Sequence, residues 1–288
     1  MRIKKHINKN DYLLTENGLW IRNFTKPFGS PVDINILSSP LDHELFLNNE
    51  LNNLRKRYME VHTQDLSYSN IIIVSDGHDF NIKHKILAHI PTNVVIIAVN
   101  GSLAKWELIG KKSDPRMQRH ISCYVTNNPY QECLRYLPSE YFPQCIASSR
   151  THPSFLDSYR GPKALYIPAP SEQYAGPMNN PRYFVDDYRN SVCAAIGLSY
   201  RFKVRKLALL CCDASFKDKR PASISLDNGL QCYQQQIASQ QIVDGNLYWL
   251  KSQGIEVYDC SSGIRYNNAT YISEKELIDL FREDKETT

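Results

Sequence analysis

Three continuous apolar runs, Asn70–Val74, Val94–Val99 and Leu207–Cys212, constrain this chain more than any other feature. A strand with one wet face alternates apolar and polar residues. Runs rich in Ile, Val and Leu without alternation are buried on both faces, and a sheet of such strands is parallel and covered by helices on each side. Helical segments follow these runs: Phe80–His89, Leu103–Ile109, Tyr188–Phe202, Ile237–Gln253 and Ser273–Arg282. Further strands are expected at His120–Val125, Gln144–Ser148, Ala164–Pro168 and Ile255–Cys260. The expected fold is therefore α/β: a doubly wound, mostly parallel, Rossmann-like sheet.

At 288 residues the chain is long enough for one large α/β domain. Residues 1–66 read as an N-terminal appendage, irregular and aromatic over Leu19–Pro40 and helical over Leu41–Met59. Residues 67–288 read as the Rossmann-like, transferase-type domain. Each apolar run is far shorter than the roughly 20 residues that span a bilayer, so no transmembrane segment is expected. Met1–Asn10 is polar and basic and has no apolar core, unlike a secretory signal. None of the eight cysteines forms a Cys-x-x-Cys pair, and reduced thiols in a cytoplasmic protein are expected. The net charge of +4 gives no support to nucleic-acid binding, and the basic clusters Arg2–Lys5 and Arg201–Lys206 read as solvated surface.

The chain contains no P-loop, no Gly-x-Gly-x-x-Gly and no Gly-x-Ser-x-Gly elbow. It also lacks Asp-x-Asp, so no metal ligands are assigned. His84 and His89 read as helix surface. Parallel sheets bind ligands at the carboxyl ends of their strands, and the candidate residues lie there. Ser75, Asp76 and Gly77 form a strand-to-helix turn able to aim backbone N–H groups at a phosphate, although Asp76 would repel one. Asn100, Asn127 and Asn128 end the next two strands with amides that suit a base, ribose or sugar, and equally suit a turn. Asp213 ends the run Leu207–Cys212; a carboxylate brought there by a buried strand is the candidate catalytic base, given a pKa raised by burial. Ser215, Phe216 and Arg220 follow closely enough to wall a ligand, with the Arg220 guanidinium suited to a phosphate or a sugar carboxylate.

Several segments occur in the order of a known superfamily: Ile71–Gly77, Ala98–Leu103, Tyr124–Pro129, Asn190–Ser199, Lys206–Phe216, Val243–Leu250 and Ile255–Gly263. Over residues 69–272 the chain resembles the family of hydroxymethylpterin pyrophosphokinase-like proteins and motility-associated-factor glycosyltransferases. That family is related in fold to the bacterial CMP-sialic acid transferases. The resemblance assigns Asn100, Asn128, Asn190, Ser191 and Asp213 to nucleotide or substrate binding and catalysis. The chain departs from the family at the first loop, where Ser75–Phe80 retains one glycine of a Gly-x-Gly-Pro-Ser-Leu pattern. It departs again at Ser239, which stands where the sialyltransferases carry a base histidine. The resemblance implies a metal-independent, nucleotide-sugar-dependent glycosyltransferase, sialyltransferase-like, with CMP- or another nucleotide-sugar as donor and a glycan or small molecule as acceptor. Asp213, or else His78 or His152, would take the acceptor's proton. Two alternatives stay open. One is a pterin pyrophosphokinase-like enzyme using Mg²⁺ held by Asp76, Asp79 and Asp213. The other is a catalytically inactive transferase fold kept as a binding or structural module.

Overall fold

The computed structural model describes residues 12–14, 20–22, 40–56, 58–60, 70–113, 121–168, 184–185, 187, 190–213, 215, 217, 224–225, 230–232 and 234–282. Strands β1 (Tyr12–Leu14) and β2 (Trp20–Arg22) pair antiparallel. Helix α1 (Pro40–Arg55) leads to the short strand β3 (Met59–Glu60). The alternation expected from the apolar runs then begins. It runs through β4 (Asn70–Val74), α2 (Phe80–Lys83), β5 (Val95–Val99), α3 (Ser102–Ser113) and β6 (Cys123–Thr126). It continues with β7 (Gln144–Ser148), α4 (Pro153–Ser158), β8 (Lys163–Pro168), β9 (Phe184–Val185), α5 (Ser191–Arg201) and β10 (Lys206–Leu210). A small antiparallel pair, β11 (Ile224–Ser225) and β12 (Gln231–Cys232), precedes α6 (Gln234–Ser252), β13 (Glu256–Asp259), β14 (Thr270–Tyr271) and α7 (Glu274–Arg282).

Ten strands form one sheet in the order β14-β13-β10-β4-β5-β6-β7-β8-β3, with β9 also paired to β8. Every pairing in it is parallel. The continuous apolar runs explain the two cores. Ile71 and Ile73 of β4 and Leu207 and Leu209 of β10 face one side, against α5 and α6. Ile72, Val74, Ala208 and Leu210 face the other, against α2, α3, α4 and α7. Because successive strand residues point to opposite faces, only unbroken apolar sequence can serve both layers.

The helix expected over Phe80–His89 divides: α2 makes one turn and His84–His89 continues as 3₁₀ helix. Pro91 disfavours helical backbone at Ile90, which is extended, so the segment ends there. His84 is buried, its Nδ1 against the Phe80 carbonyl at 3.0 Å, which corrects the surface reading; His89 is exposed. The expected start of α7 is reproduced as a capping box. Glu276 N donates to Ser273 Oγ at 3.3 Å, and Ser273 N to Glu276 Oε2 at 2.7 Å.

Helix α1 covers part of the carboxyl edge. Its buried polar residues reach the loops after β6 and β7: Asn49 Nδ2 donates to the carbonyl of Pro129 at 2.8 Å, and Asn53 Nδ2 to those of Ser149 at 2.9 Å and Thr151 at 2.6 Å. Glu50, fully buried, accepts from Ser149 Oγ at 2.9 Å and pairs with Arg150 Nε at 3.4 Å. β3 completes the attachment as an edge strand on β8. The expectation for Leu19–Pro40 falls almost wholly outside the described residues.

Candidate functional site

From β4 the sheet extends through β5 to β8 on one side and through β10 and β13 on the other. Where the strand order reverses, the loops leaving adjacent strands diverge and open a crevice at the carboxyl ends. Here those strands are β4 and β10.

After β10, Cys211 adopts φ 56°. That conformation is uncommon outside glycine, and such strain persists where the surroundings enforce it. The enforcing contacts are dense. Cys211 O accepts from Gly77 N at 3.0 Å, and Cys212 N donates to Ser261 Oγ at 3.0 Å. Cys212 O accepts from Tyr266 Oη at 2.6 Å and Gln240 Nε2 at 3.1 Å. The turn delivers Asp213, fully buried, to the loop that leaves β4. Asp213 Oδ2 lies 3.0 Å from His78 Nδ1 and accepts from Ser215 Oγ at 2.5 Å; Ser215 Oγ is itself 3.2 Å from His78 Nδ1.

Two glycines enclose this carboxylate. A Cβ on Gly77 would stand 2.2 Å from Asp213 Oδ1, and one on Gly263, in the loop after β13, 1.7 Å from Oδ2. Any side chain at either position displaces Asp213 or the backbone. Gly263→Ala is accordingly expected to cost about 1–3 kcal/mol in overpacking and to separate His78 from Asp213. Denaturant unfolding and the His78 ring NMR signals measure the two effects; an unchanged stability would mean that the loop moves freely.

Burial is the largest influence on Asp213 and pushes its carboxyl up. The Ser215 hydroxyl opposes this, repulsion from Asp79 adds to it, His78 opposes it, and the net shift is upward. Burial also raises Asp79, but hydrogen bonds from Ser262 and Cys211 and the Lys83 ammonium outweigh it, and that carboxyl lies below its ordinary value. Lys83 Nζ is 3.1 Å from Asp79 Oδ2 and donates to Cys260 O at 2.5 Å. Asp259, at the end of β13, is raised to about 6, chiefly by burial.

His78, Asp79 and Asp213 can each offer a donor atom within 4.8 Å of the others. Magnesium takes oxygen ligands in a near-ideal octahedron and keeps several waters. In this cluster one carboxylate is walled by glycines, the other carries a lysine ammonium, and the third donor is an imidazole nitrogen. The set does not fit magnesium. Asp76, the remaining carboxylate of the magnesium reading, faces elsewhere, 3.7 Å from Lys105 Nζ and beside Gly101.

The other sequence candidates fall into separate groups along the same edge. Ser75 is buried, and its N–H donates to Leu210 O at 3.1 Å, binding the loop after β4 to β10. Asn100, at φ 54°, turns the chain after β5, and its carbonyl accepts from Tyr124 Oη at 2.9 Å. Asn127 Oδ1 accepts from Ser191 Oγ at 2.7 Å, joining β6 to the start of α5. Asn190 caps that helix, accepting from Val192 N at 2.7 Å, and donates to the Ser239 hydroxyl on α6. Asn128 makes a local turn, accepting from Tyr130 N at 3.0 Å, next to the loop held by α1. His152 caps α4, its Nδ1 accepting from Ser154 N at 3.3 Å. Phe216 and Arg220 lie outside the described residues. The sequence reading missed Gly263, Ser261 and Asp259. A Ser-Ser-Gly tripeptide directly after a buried strand was the signal available, since glycine at a strand end marks close backbone approach.

Neither a protein-family model nor a curated protein sequence matches the chain. Among solved structures it is similar to the MAf glycosyltransferase from Magnetospirillum magneticum AMB-1, with 14% identity and a TM-score of 0.59. The match covers 84% of this chain and 41% of that one, so the chain spans well under half of that protein's length. What the two share is architecture: this chain carries an α/β, Rossmann-like fold of the kind seen in that glycosyltransferase.

Proposed function

We propose that the chain is a nucleotide-sugar-dependent glycosyltransferase working at the carboxyl edge of the sheet, at the switch point between β4 and β10. The observation that carries this reading is the assembly of Gly77, His78, Asp213, Ser215 and Gly263 at that point, in a fold shared with a glycosyltransferase. Buried strands converge there, a strained turn positions a carboxylate, and an imidazole stands against it. This is equipment for moving a proton, and it is more than a turn requires. The reaction is direct displacement: the acceptor hydroxyl attacks the anomeric carbon, the nucleotide leaves, and the His78–Asp213 pair supplies the base. Asn100, Asn127, Asn128, Asn190 and Ser191 line the neighbouring strand ends and are the groups proposed to hold the nucleotide. Among the described residues no helix is long and apolar enough to cross a membrane, and we place the reaction in the cytoplasm.

A thermal-shift screen over CMP, UDP, GDP, ATP and their sugar conjugates, with and without Mg²⁺, tests the reading. A true donor at one hundred times its Kd stabilises the fold by about 2.7 kcal/mol. Stabilisation by a nucleotide-sugar without Mg²⁺ is the expected result. A shift with ATP only when Mg²⁺ is present would replace the reading with the pyrophosphokinase one. No shift with any nucleotide would leave a transferase fold without a donor and overturn it.

A further inference from the structure

Asp213 is placed to orient a base, and its surroundings prevent it from being one. Its Oδ2 already faces His78 and Ser215, and a Cβ could not be fitted between either oxygen and the glycine beside it. A group so enclosed cannot touch an acceptor hydroxyl. His78 differs: its side chain keeps 8% exposure, against none for Asp213. Only its Nδ1 is engaged, and Nε2 has no hydrogen-bond partner among the described residues.

We propose that His78 Nε2 is the proton acceptor of this site and that Asp213 is its positioning residue. The identity of the acceptor rests on the glycosyltransferase reading, but the state of the imidazole does not. Asp213, an acceptor when ionised, holds the proton of the neutral ring on Nδ1, with Ser215 Oγ sharing that side. Nε2 is left bare, and the ring is fixed by two contacts from the loop after β10. When the acceptor oxygen attacks, the new bond to the anomeric carbon forms as the bond from that carbon to the nucleotide's phosphate oxygen breaks. The electron pair leaves with the phosphate. The acceptor's proton passes to Nε2, and the resulting imidazolium keeps its Nδ1–H on Asp213. Carboxylate, imidazole and transferred proton thus play the roles they have in hydrolytic triads. Ser215 is on the Nδ1 side, which gives it a supporting role and excludes it as the nucleophile that Nε2 would activate.

The deciding measurement is the ring tautomer of His78 in the full chain, read from long-range ¹H–¹⁵N correlations without substrate. The wild type is expected to show the Nδ1–H form, and Asp213→Asn to lose that preference. An Nε2–H ring in the wild type overturns the proposal, whatever the donor screen gives. With a donor in hand, His78→Gln and Asp213→Asn should each lower kcat by about 10²–10⁴-fold, and the double variant should be no slower than the worse single one. Full activity in His78→Gln would overturn the proposal. Tight Mn²⁺ uptake by the wild type, abolished by His78→Gln, would make the cluster a metal site instead. If His78→Gln fails to fold, the wild-type tautomer still decides.

Discussion

Asp259→Asn is expected to stabilise the protein above pH 6 and to leave it unchanged near pH 4. Asp259 is buried at the end of β13. One carboxylate oxygen accepts from Ser261 N at 2.9 Å, and the other has no partner among the described residues. Burial, with Asp213 nearby, raises its carboxyl from 3.8 to about 6. The folded state therefore holds this proton more tightly than the unfolded chain. The stability it contributes is complete below about pH 4 and is lost as pH rises through about 6. A shift of that size corresponds to about 3 kcal/mol. Asparagine keeps the acceptor for Ser261 and removes the charge. Urea unfolding of both forms at pH 4.5, 6 and 8 measures the difference, which must grow with pH. A constant difference would mean that Asp259 does not titrate in this range.

Arg150→Ala is expected to cost about 3 kcal/mol, the usual order when a cation is removed from a buried carboxylate. Glu50 is fully buried, and Arg150 is the cation that the loop after β7 brings to it. The loss should be largely recovered in the double variant Glu50→Gln with Arg150→Ala, where neither charge of that pair remains. Denaturant unfolding of Arg150→Ala and of the double variant tests this, and a single-variant cost below about 1 kcal/mol would show that the Glu50–Arg150 pair contributes little to holding α1.

The strand at Asn70–Val74 was legible to the residue, because an unbroken apolar run has few other uses at that length, and Gln144–Ser148 was read with the same bounds around its short Cys-Ile-Ala centre. The two-residue strands β3, β9, β11, β12 and β14 were not, since two residues carry no periodicity. Asp213 was legible as a carboxylate on a buried strand's end. Its partner was not, because His78 is distant in sequence and nothing local marks a histidine as the neighbour of a particular aspartate. The roles within the pair also depend on Gly77 and Gly263, whose packing against the carboxylate exists only in three dimensions. Ser239 is legible from the resemblance as a departure from a base histidine, but its contact with Asn190, which ties α5 to α6, exists only in three dimensions.

The pairing of β4 with β10 has a consequence during synthesis. His78 and Asp213, which flank that junction, are 135 residues apart. At roughly 5–20 residues per second, about 7–27 s pass between their appearances on the ribosome. Throughout that interval one edge of β4, an unbroken Ile-rich strand, has no native neighbour, while β5 to β8 can already assemble on its other side. A nascent chain halted before residue 206 would display a sheet with a bare apolar flank, the kind of edge that recruits chaperones or other chains. The site would therefore be among the last features of the sheet to exist, complete only when the loops after β10 and β13 have joined the loop after β4.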